Sequence, residues 1–184
     1  ITNTRDLITL EDLYLPYKKK RKTKAETARL QGLEPLAKMI MSQRVNDLEH
    51  TASKYTSNKV NTIEDALEGA RFIIAEWINE RTDIRYNIRQ QLARFAIISS
   101  TIIKSKINEE KAQKFKDYFD WQESLKRIPS HRLLAILRAE NEGFIRLKIA
   151  IDSDNAIQKI VDTIIRTQNT CAPQIQLAIK DAFK

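Results

Sequence analysis

The feature that most constrains this 184-residue chain is its scarcity of turn-forming residues: it contains three glycines and four prolines. Hairpin turns and phosphate-binding loops depend on glycine, so the sequence offers little material for either. Between residues 63 and 80, apolar side chains recur at steps of three and four, which places them on one helical face. The sequence therefore predicts a mainly α-helical, multi-helix bundle.

Further helices are predicted from the same spacing. The helix after Asp83 is expected to extend to residue 102, and its inner stripe would consist of Ile84, Ile88, Leu92, Phe95, Ser99 and Ile102. Residues 108–116 are expected to be helical before a turn. A helix after residue 130 is expected to turn Leu133, Leu134 and Leu137 inward and to stop at Gly143. Two last helices should follow, one starting after Asp154 and one near Pro173.

Several residues have the chemistry of helix caps. Thr62 precedes Asp65 by three residues, and Thr23 precedes Glu26 in the same way, a pattern typical of a capping box. Ser130 and Asp154 are predicted to be N-caps as well. Thr23 therefore separates the helix that follows it from the cationic residues that precede it.

One segment departs from helical spacing. FIRLKIAI, at about residues 144–151, alternates apolar and polar side chains with the period of a strand. An isolated strand leaves a row of backbone donors and acceptors without partners. A weak segment of the chain, another copy, or a further part of the natural protein must then pair with it. We expect a fragment of a larger multidomain protein, divided into a helical region 1–143 and a region 144–184 of one strand and two helices.

The most conspicuous functional candidate is a run of cations. Of the formal net charge of +8, a large part lies in residues 18–24, here called the basic stretch. It contains Lys18, Lys19, Lys20, Arg21, Lys22 and Lys24. Such a cluster between two short helices can contact phosphates without sequence preference. The neighbouring Tyr14 and Tyr17 can stack on an unpaired base. In the alternative interpretation, the loop is only solvated and both tyrosines pack on helices.

Other classes of function find little support in the sequence. No apolar run is long enough for a membrane span and no signal peptide is evident, so we expect a cytoplasmic protein. One cysteine and two histidines form no recognisable metal site, and no cofactor is expected. Ser130 and His131 are adjacent at a helix start and lack the geometry of nucleophile and base. The carboxylate pairs Glu109/Glu110 and Asp117/Asp120 are expected to form exposed ion pairs. We expect no enzyme activity.

Several separate motifs occur in order along the chain: TLEDLYLPYKKKRKTKAETARLQGLEPLA, AEWINE, KFKDYFDW, RIPSHRLLAILRAENEGFIRLKI and CAPQIQLAIKDAF. In this order they resemble the Tex family of bacterial transcription accessory proteins. The resemblance implies the N-terminal helical region of a protein that continues into a RuvC-like domain, helix-hairpin-helix modules and an OB-type RNA-binding domain. Where the family often has proline in its basic loop, this chain has Lys19, which adds charge and removes rigidity.

Together, the residues and the resemblance predict a non-catalytic scaffold with an accessory surface for RNA or DNA, in a protein that regulates transcription. Nucleic acid is the expected partner, held mostly by domains beyond this sequence, and the transcription machinery is a further one. The alternative is a protein-interaction module that docks through exposed faces of the last two helices and the strand edge. Phosphate binding weakens steeply with salt whereas apolar docking does not, which separates the two.

Overall fold

The computed structural model describes residues 7–18 and 23–183, and its architecture is mainly α-helical, as predicted. The helices are α1 (Leu7–Tyr14), α2 (Lys24–Leu30), α3 (Glu34–Ser42), α4 (Leu48–Ser53), α5 (Ile63–Glu80), α6 (Thr82–Phe95), α7 (Glu110–Gln113), α8 (Ser130–Asn141), α9 (Ser153–Ile164) and α10 (Ala172–Phe183). The strands are β1 (Ile97–Ile102), β2 (Asp120–Ser124) and β3 (Ile145–Ala150).

The chain forms two compact units. The helical unit contains the described residues up to Tyr86 together with those from Ile157 onward, and the middle unit is Asn87–Ala156. Neither boundary coincides with residue 143, where the sequence analysis divides the chain, because β3 pairs with β1 and so belongs with the middle of the sequence. The predicted division of the larger protein at that residue stays a prediction.

Helix α5 is the centre of the helical unit and packs against α2, α3, α4 and α10. Its predicted apolar face is buried, with Ile73, Ile74 and Ile78 almost fully enclosed. The predicted capping box is also present: Asp65 N–H donates to Thr62 Oγ1 and Thr62 N–H donates to Asp65 Oδ2, each at 3.0 Å. The predicted Thr23 cap starts α2, since its side chain accepts a hydrogen bond from Glu26 N–H.

Gly69 sets how closely α2 and α5 approach. A Cβ at this position would lie 2.3 Å from Leu33 Cδ1 and 3.4 Å from Ala28 Cβ. Leu33 is fully buried, so its side chain has little room to move away. The absence of a side chain at residue 69 is therefore a packing requirement, because glycine is unfavourable inside a helix.

Replacing Gly69 with alanine should lower the free energy of unfolding by about 1–2 kcal/mol, because the cost of overpacking exceeds the roughly 1 kcal/mol gained in helix propensity. Chemical denaturation checks this value. Asn79→Ala, an exposed change in the same helix, is the control and should stay within about 0.5 kcal/mol of the parent. In a Leu33→Ala background the cost of Gly69→Ala should shrink; an unchanged cost would contradict the contact.

Gln43 joins the end of α3 to the segment between α9 and α10. Its backbone is left-handed, with φ of 55°, and its N–H closes α3 on Ile40 O. Its amide nitrogen donates to Ile164 O at 2.8 Å. Its amide oxygen accepts from the N–H groups of Arg166 and Thr167 at 2.8 and 3.1 Å. One side chain thus satisfies backbone groups that α9 leaves unpaired where it ends.

Two substitutions of Gln43 distinguish the contribution of its side-chain hydrogen bonds to stability from the cost of its left-handed backbone. Gln43→Ala should lower the free energy of unfolding by about 2–3 kcal/mol, at roughly 1 kcal/mol for each hydrogen bond lost. Gln43→Gly loses the same bonds but removes the left-handed strain, so its loss should be about 1 kcal/mol smaller. Denaturation of both variants measures the difference. Equal stability of the glycine and alanine variants would argue against strain at this residue.

The middle unit contains an antiparallel sheet in the order β2-β1-β3. In its register, Ile98 of β1 lies opposite Glu123 of β2 and Ile149 of β3.

The prediction of an isolated strand at 144–151 was wrong, because both other strands were assigned to helices or turns. The helix after Asp83 ends at Phe95 rather than reaching residue 102. Four of the six residues of β1 are β-branched isoleucine or threonine, which favour a strand over a helix.

The core of the middle unit is aromatic and aliphatic. It consists of Ala112, Phe115, Ile136, Ala139, Phe144 and Ile145. The rings of Phe115 and Phe144 have their centroids 5.8 Å apart.

Residues 108–116 are only partly helical: α7 is four residues long and is followed by a 3-10 turn, Lys116–Tyr118, that leads into β2.

Three predictions for α8 and α9 were wrong. Ile136 and Ala139 face the core, whereas Leu134 is 66% exposed and Leu137 is also exposed, so the buried stripe is shifted from the predicted leucines. Ser130 is the first residue of α8 and makes no capping hydrogen bond. At α9, Asp152 rather than Asp154 accepts the first free N–H groups, at 3.0 and 3.1 Å. Gly143 does end α8, with φ of 77°.

Candidate nucleic-acid interface

The basic stretch follows a 3-10 turn, Leu15–Tyr17, and leads into α2. Of its residues, Lys18 and Lys24 lie in the part of the chain that the structure describes, and both are exposed. Lys19, Lys20, Arg21 and Lys22 lie outside the described residues. The structure therefore gives the two ends of the predicted site and the surfaces next to them.

The two tyrosines beside the basic stretch are on the surface. Tyr14 is 54% exposed and Tyr17 is 76% exposed. The alternative interpretation required both rings to pack on neighbouring helices, and neither is buried in that way. Exposed aromatic rings next to cations have the composition of a single-strand contact, in which bases stack and phosphates meet positive charge.

The orientation of α1 explains this exposure. Its buried side chain is Asp12, whose carboxylate accepts a hydrogen bond from Arg85 Nε at 2.6 Å. Leu7 and Ile8 are exposed, at 72% and 52%. With an acidic residue facing inward and accepting this bond, most apolar residues of α1 are exposed, whereas Leu10 is half-buried.

Cations near the basic stretch differ in how strongly they already interact with other side chains. Arg29 forms an ion pair with Glu76, with 2.5 Å between Nη2 and Oε1. Desolvation by burial acts to lower the pKa of Arg29, but the hydrogen bond to Glu76 and the charges of nearby carboxylates outweigh it, so the pKa is raised. Lys24 instead places its ammonium 4.7 Å from the centroid of the Phe72 ring. An exposed cation–π contact is weak, so Lys24 is the more available cation.

A cleft of ≈ 520 Å³ begins at Lys24 and lies between α2, the turn at residues 57–60 and α5. Ala28, Val60 and Gly69 form its buried apolar floor. Lys59 also lines the cleft, and its backbone carbonyl accepts from Gln31 Nε2 at 3.2 Å. The remaining lining residues are Thr27, Asn61, Asp65, Glu68 and Phe72. Spacing along the sequence did not point to this group, because its members come from three separate segments.

The other candidate residues are not brought together into a site. Among the described residues, no group of three or more histidine, cysteine or acidic side chains is placed to hold a metal ion. Of the carboxylate pairs, Glu109 forms the expected exposed ion pair with Lys106, at 2.6 Å. No helix in the described part of the chain is long and apolar enough to cross a membrane.

Cys171 is fully buried at the start of α10. Desolvation by burial is the main reason that the pKa of its thiol is raised above the ordinary value. The thiolate is the reactive form, so both enclosure and protonation oppose its modification.

Iodoacetamide should therefore leave Cys171 unmodified in the folded chain at pH 7 and alkylate it promptly in denaturant. Mass spectrometry after timed quenching measures both rates. Thr170→Cys, which introduces a partly exposed thiol at the adjacent residue in a Cys171→Ser background, is the control and should react without denaturant. Fast alkylation of native Cys171 would contradict its enclosure.

The helical architecture and the exposed side chains of Lys18, Lys24, Tyr14 and Tyr17 define a helix-rich region with cationic and aromatic groups on its surface. The family model described as Tex central region-like matches residues 43–182, and this chain belongs to that family. That description places the matched residues in a central region, whereas the resemblance noted in the sequence implied an N-terminal one. The Tex assignment itself is confirmed.

Relatives give the same assignment. The chain is 39% identical over 146 residues to "Transcriptional accessory protein Tex" of Neisseria gonorrhoeae, covering 79% of this chain and 19% of the relative. It is 40% identical over 154 residues to "Protein YhgF" of Escherichia coli, with 83% and 20% covered. It is 27% identical over 195 residues to human "S1 RNA-binding domain-containing protein 1", with 99% and 20% covered. The chain thus spans about a fifth of the length of these relatives.

Proposed function

We propose that this chain is a non-catalytic scaffold and accessory nucleic-acid-binding region of a cytoplasmic Tex-like transcription accessory protein. The observation that carries the proposal is the exposure of Tyr14 and Tyr17 directly beside the basic stretch. Membership of the Tex family and a relative named for RNA binding support a role connected with nucleic acid. The transcription machinery is a further partner under this proposal.

The proposed contact is nonspecific. Five of the six cations in the basic stretch are lysines, which act as point charges on flexible side chains. Base-specific recognition in a groove relies on bidentate contacts, which lysine provides poorly compared with arginine. Neutralised phosphates release counterions, so affinity should depend strongly on salt and weakly on sequence. The tyrosines add stacking on unpaired bases.

The alternative, docking of a protein through the last two helices and the strand edge, has less support. In α9 and α10, residues such as Ile160, Ile164, Ile175 and Ile179 are buried within the chain. On the strand, β3 is paired along one edge with β1. At its outer edge, Leu147 N–H donates to Glu140 Oε1 at 3.0 Å. Part of the surfaces that this alternative requires is therefore occupied within the chain, although Ile149 and Leu177 are exposed.

Replacing Lys18, Lys19, Lys20 and Lys22 together with glutamine should weaken binding to all nucleic-acid sequences alike. If all six cations engage duplex DNA, the slope of log affinity against log salt is about −5, from roughly −0.9 per phosphate. The variant should flatten this slope to about −2 and keep its helix content. Fluorescence anisotropy between about 50 and 200 mM salt measures the slope.

A matched control removes the same charge elsewhere. Glutamine at the exposed residues Lys54, Lys111, Lys126 and Lys180 lowers the net charge equally but leaves the basic stretch intact. This control should keep a steeper slope than the first variant. If both variants lose affinity equally, binding depends only on the net charge of the chain. If the variant of the basic stretch keeps its affinity and salt slope, the basic stretch is only a solvated turn.

A further inference from the structure

The cleft between α2 and α5 is continuous with the basic stretch, because Lys24 belongs to both. A strand with a phosphate at Lys24 would therefore lie next to the cleft. Its volume of ≈ 520 Å³ falls within the range typical of sites for small organic groups. The question is which chemical group fits its lining.

The charges of the lining cancel. The positive charges of Lys24 and Lys59 are balanced by the negative charges of Asp65 and Glu68, so a phosphate inside the cleft gains no net attraction. The apolar floor and Phe72 favour a flat group with an apolar face instead. The polar residues around that floor favour a group with hydrogen-bonding edges. An unpaired nucleobase combines these two properties.

The hydrogen-bonding groups of the cleft are not equally available. Asp65 is engaged in the capping box with Thr62, and the amide nitrogen of Gln31 is bound to Lys59 O. The hydroxyl of Thr27 donates to Thr23 O. Asn61 and Lys59 also line the cleft and supply donors, but the exposed carboxylate of Glu68 is a charged acceptor, and hydrogen bonds to a charged group are stronger than those between neutral groups. Acceptors select bases that carry an amino group, such as cytosine and adenine, over uracil or thymine.

Phe72 and Lys24 complete the arrangement. The ammonium of Lys24 covers the Phe72 ring at 4.7 Å. A base stacked on that ring makes a stronger contact than an exposed ammonium does. Lys24 is then released to the phosphate of the same nucleotide, so the two contacts replace the single contact seen without a ligand.

We propose that this cleft binds one unpaired, amino-bearing base of a nucleic-acid strand, with Phe72 as the stacking surface and Glu68 as the acceptor for the amino group. This inference rests on the proposed function, since the basic stretch must hold the neighbouring phosphates. It extends that function from nonspecific phosphate contact to recognition of single-stranded nucleic acid with a base preference.

The stacking contact is tested with single strands that carry 2-aminopurine, whose fluorescence is quenched on stacking. The 184-residue chain should quench the probe on binding, and Phe72→Leu should lose most of that quenching while keeping the salt slope. Tyr86→Leu, which removes an exposed ring outside the cleft, is the control and should quench normally. Affinity for duplex DNA should be the same in all three proteins, because a paired base cannot enter the cleft.

The base preference is tested with homopolymer strands. The chain should bind oligo-cytidine about fivefold more tightly than oligo-uridine, the ratio expected from one hydrogen bond. Glu68→Gln should reduce the ratio to near one, because an amide can also donate to the uracil oxygen. Glu49→Gln, an exposed carboxylate change on α4, should keep the ratio. Because Glu68 is exposed, this arm remains decisive if circular dichroism shows that Phe72→Leu does not fold.

The outcomes separate the two proposals. If the lysine variant of the basic stretch flattens the salt slope but neither cleft variant changes quenching or base preference, the cleft inference is overturned and the proposed function stands. If the cleft variants have the expected effects while the lysine variant does not, the proposed contact of the basic stretch fails. The premise that this stretch holds the neighbouring phosphates then fails with it, and base binding by the cleft stands. If the chain binds no single strand, both are overturned.

Discussion

Burial of α5 is the constraint on which the helical unit depends. This 18-residue helix is the common packing surface for α2, α3, α4 and α10. Elements from both ends of the sequence thus bury their apolar faces against one helix. Close packing to α2 at Gly69 and the cleft beside it are two results of the same geometry. At Gly69, the closeness of Leu33 and Ala28 excludes a side chain, and the same glycine lines the cleft next to the turn at residues 57–60.

Local periodicity predicted the parts of the fold in which local and tertiary preferences agree. The stripe of α5, its capping box and the Thr23 cap were all predictable because each depends on residues within a few positions of one another. The β1 segment misled the prediction because Ser99 and Ile102 continue the helical spacing of α6. The β-branched content of IISSTI, together with pairing to two strands, outweighs that spacing. Since β2 (DWQES) has little apolar alternation, its pairing could not be seen without the sheet.

The candidate site was predictable only in part, for a similar reason. A cluster of cations is visible in any sequence, and so are the tyrosines next to it. Asp12 faces inward and accepts a bond from Arg85, 73 residues later, so no local pattern gives the orientation of the helix that precedes Tyr17. Phe72 reads as an ordinary apolar residue of α5. Its place next to the Lys24 ammonium, in a cleft that Lys59 also lines, depends on the packing of three segments, so it becomes a candidate only in three dimensions.

The division of the chain into units has a consequence for the order in which the protein forms during synthesis. The helical unit is discontinuous, because Asn87–Ala156 lies between its two parts in the sequence. The side-chain amide of Gln43 cannot form its hydrogen bonds until residues 164–167 have been synthesised. At about 5–20 residues per second, the ribosome needs several seconds to deliver the intervening segment. The middle unit is contiguous, so it can fold on emergence, while α5 keeps part of its apolar surface uncovered until α10 leaves the exit tunnel.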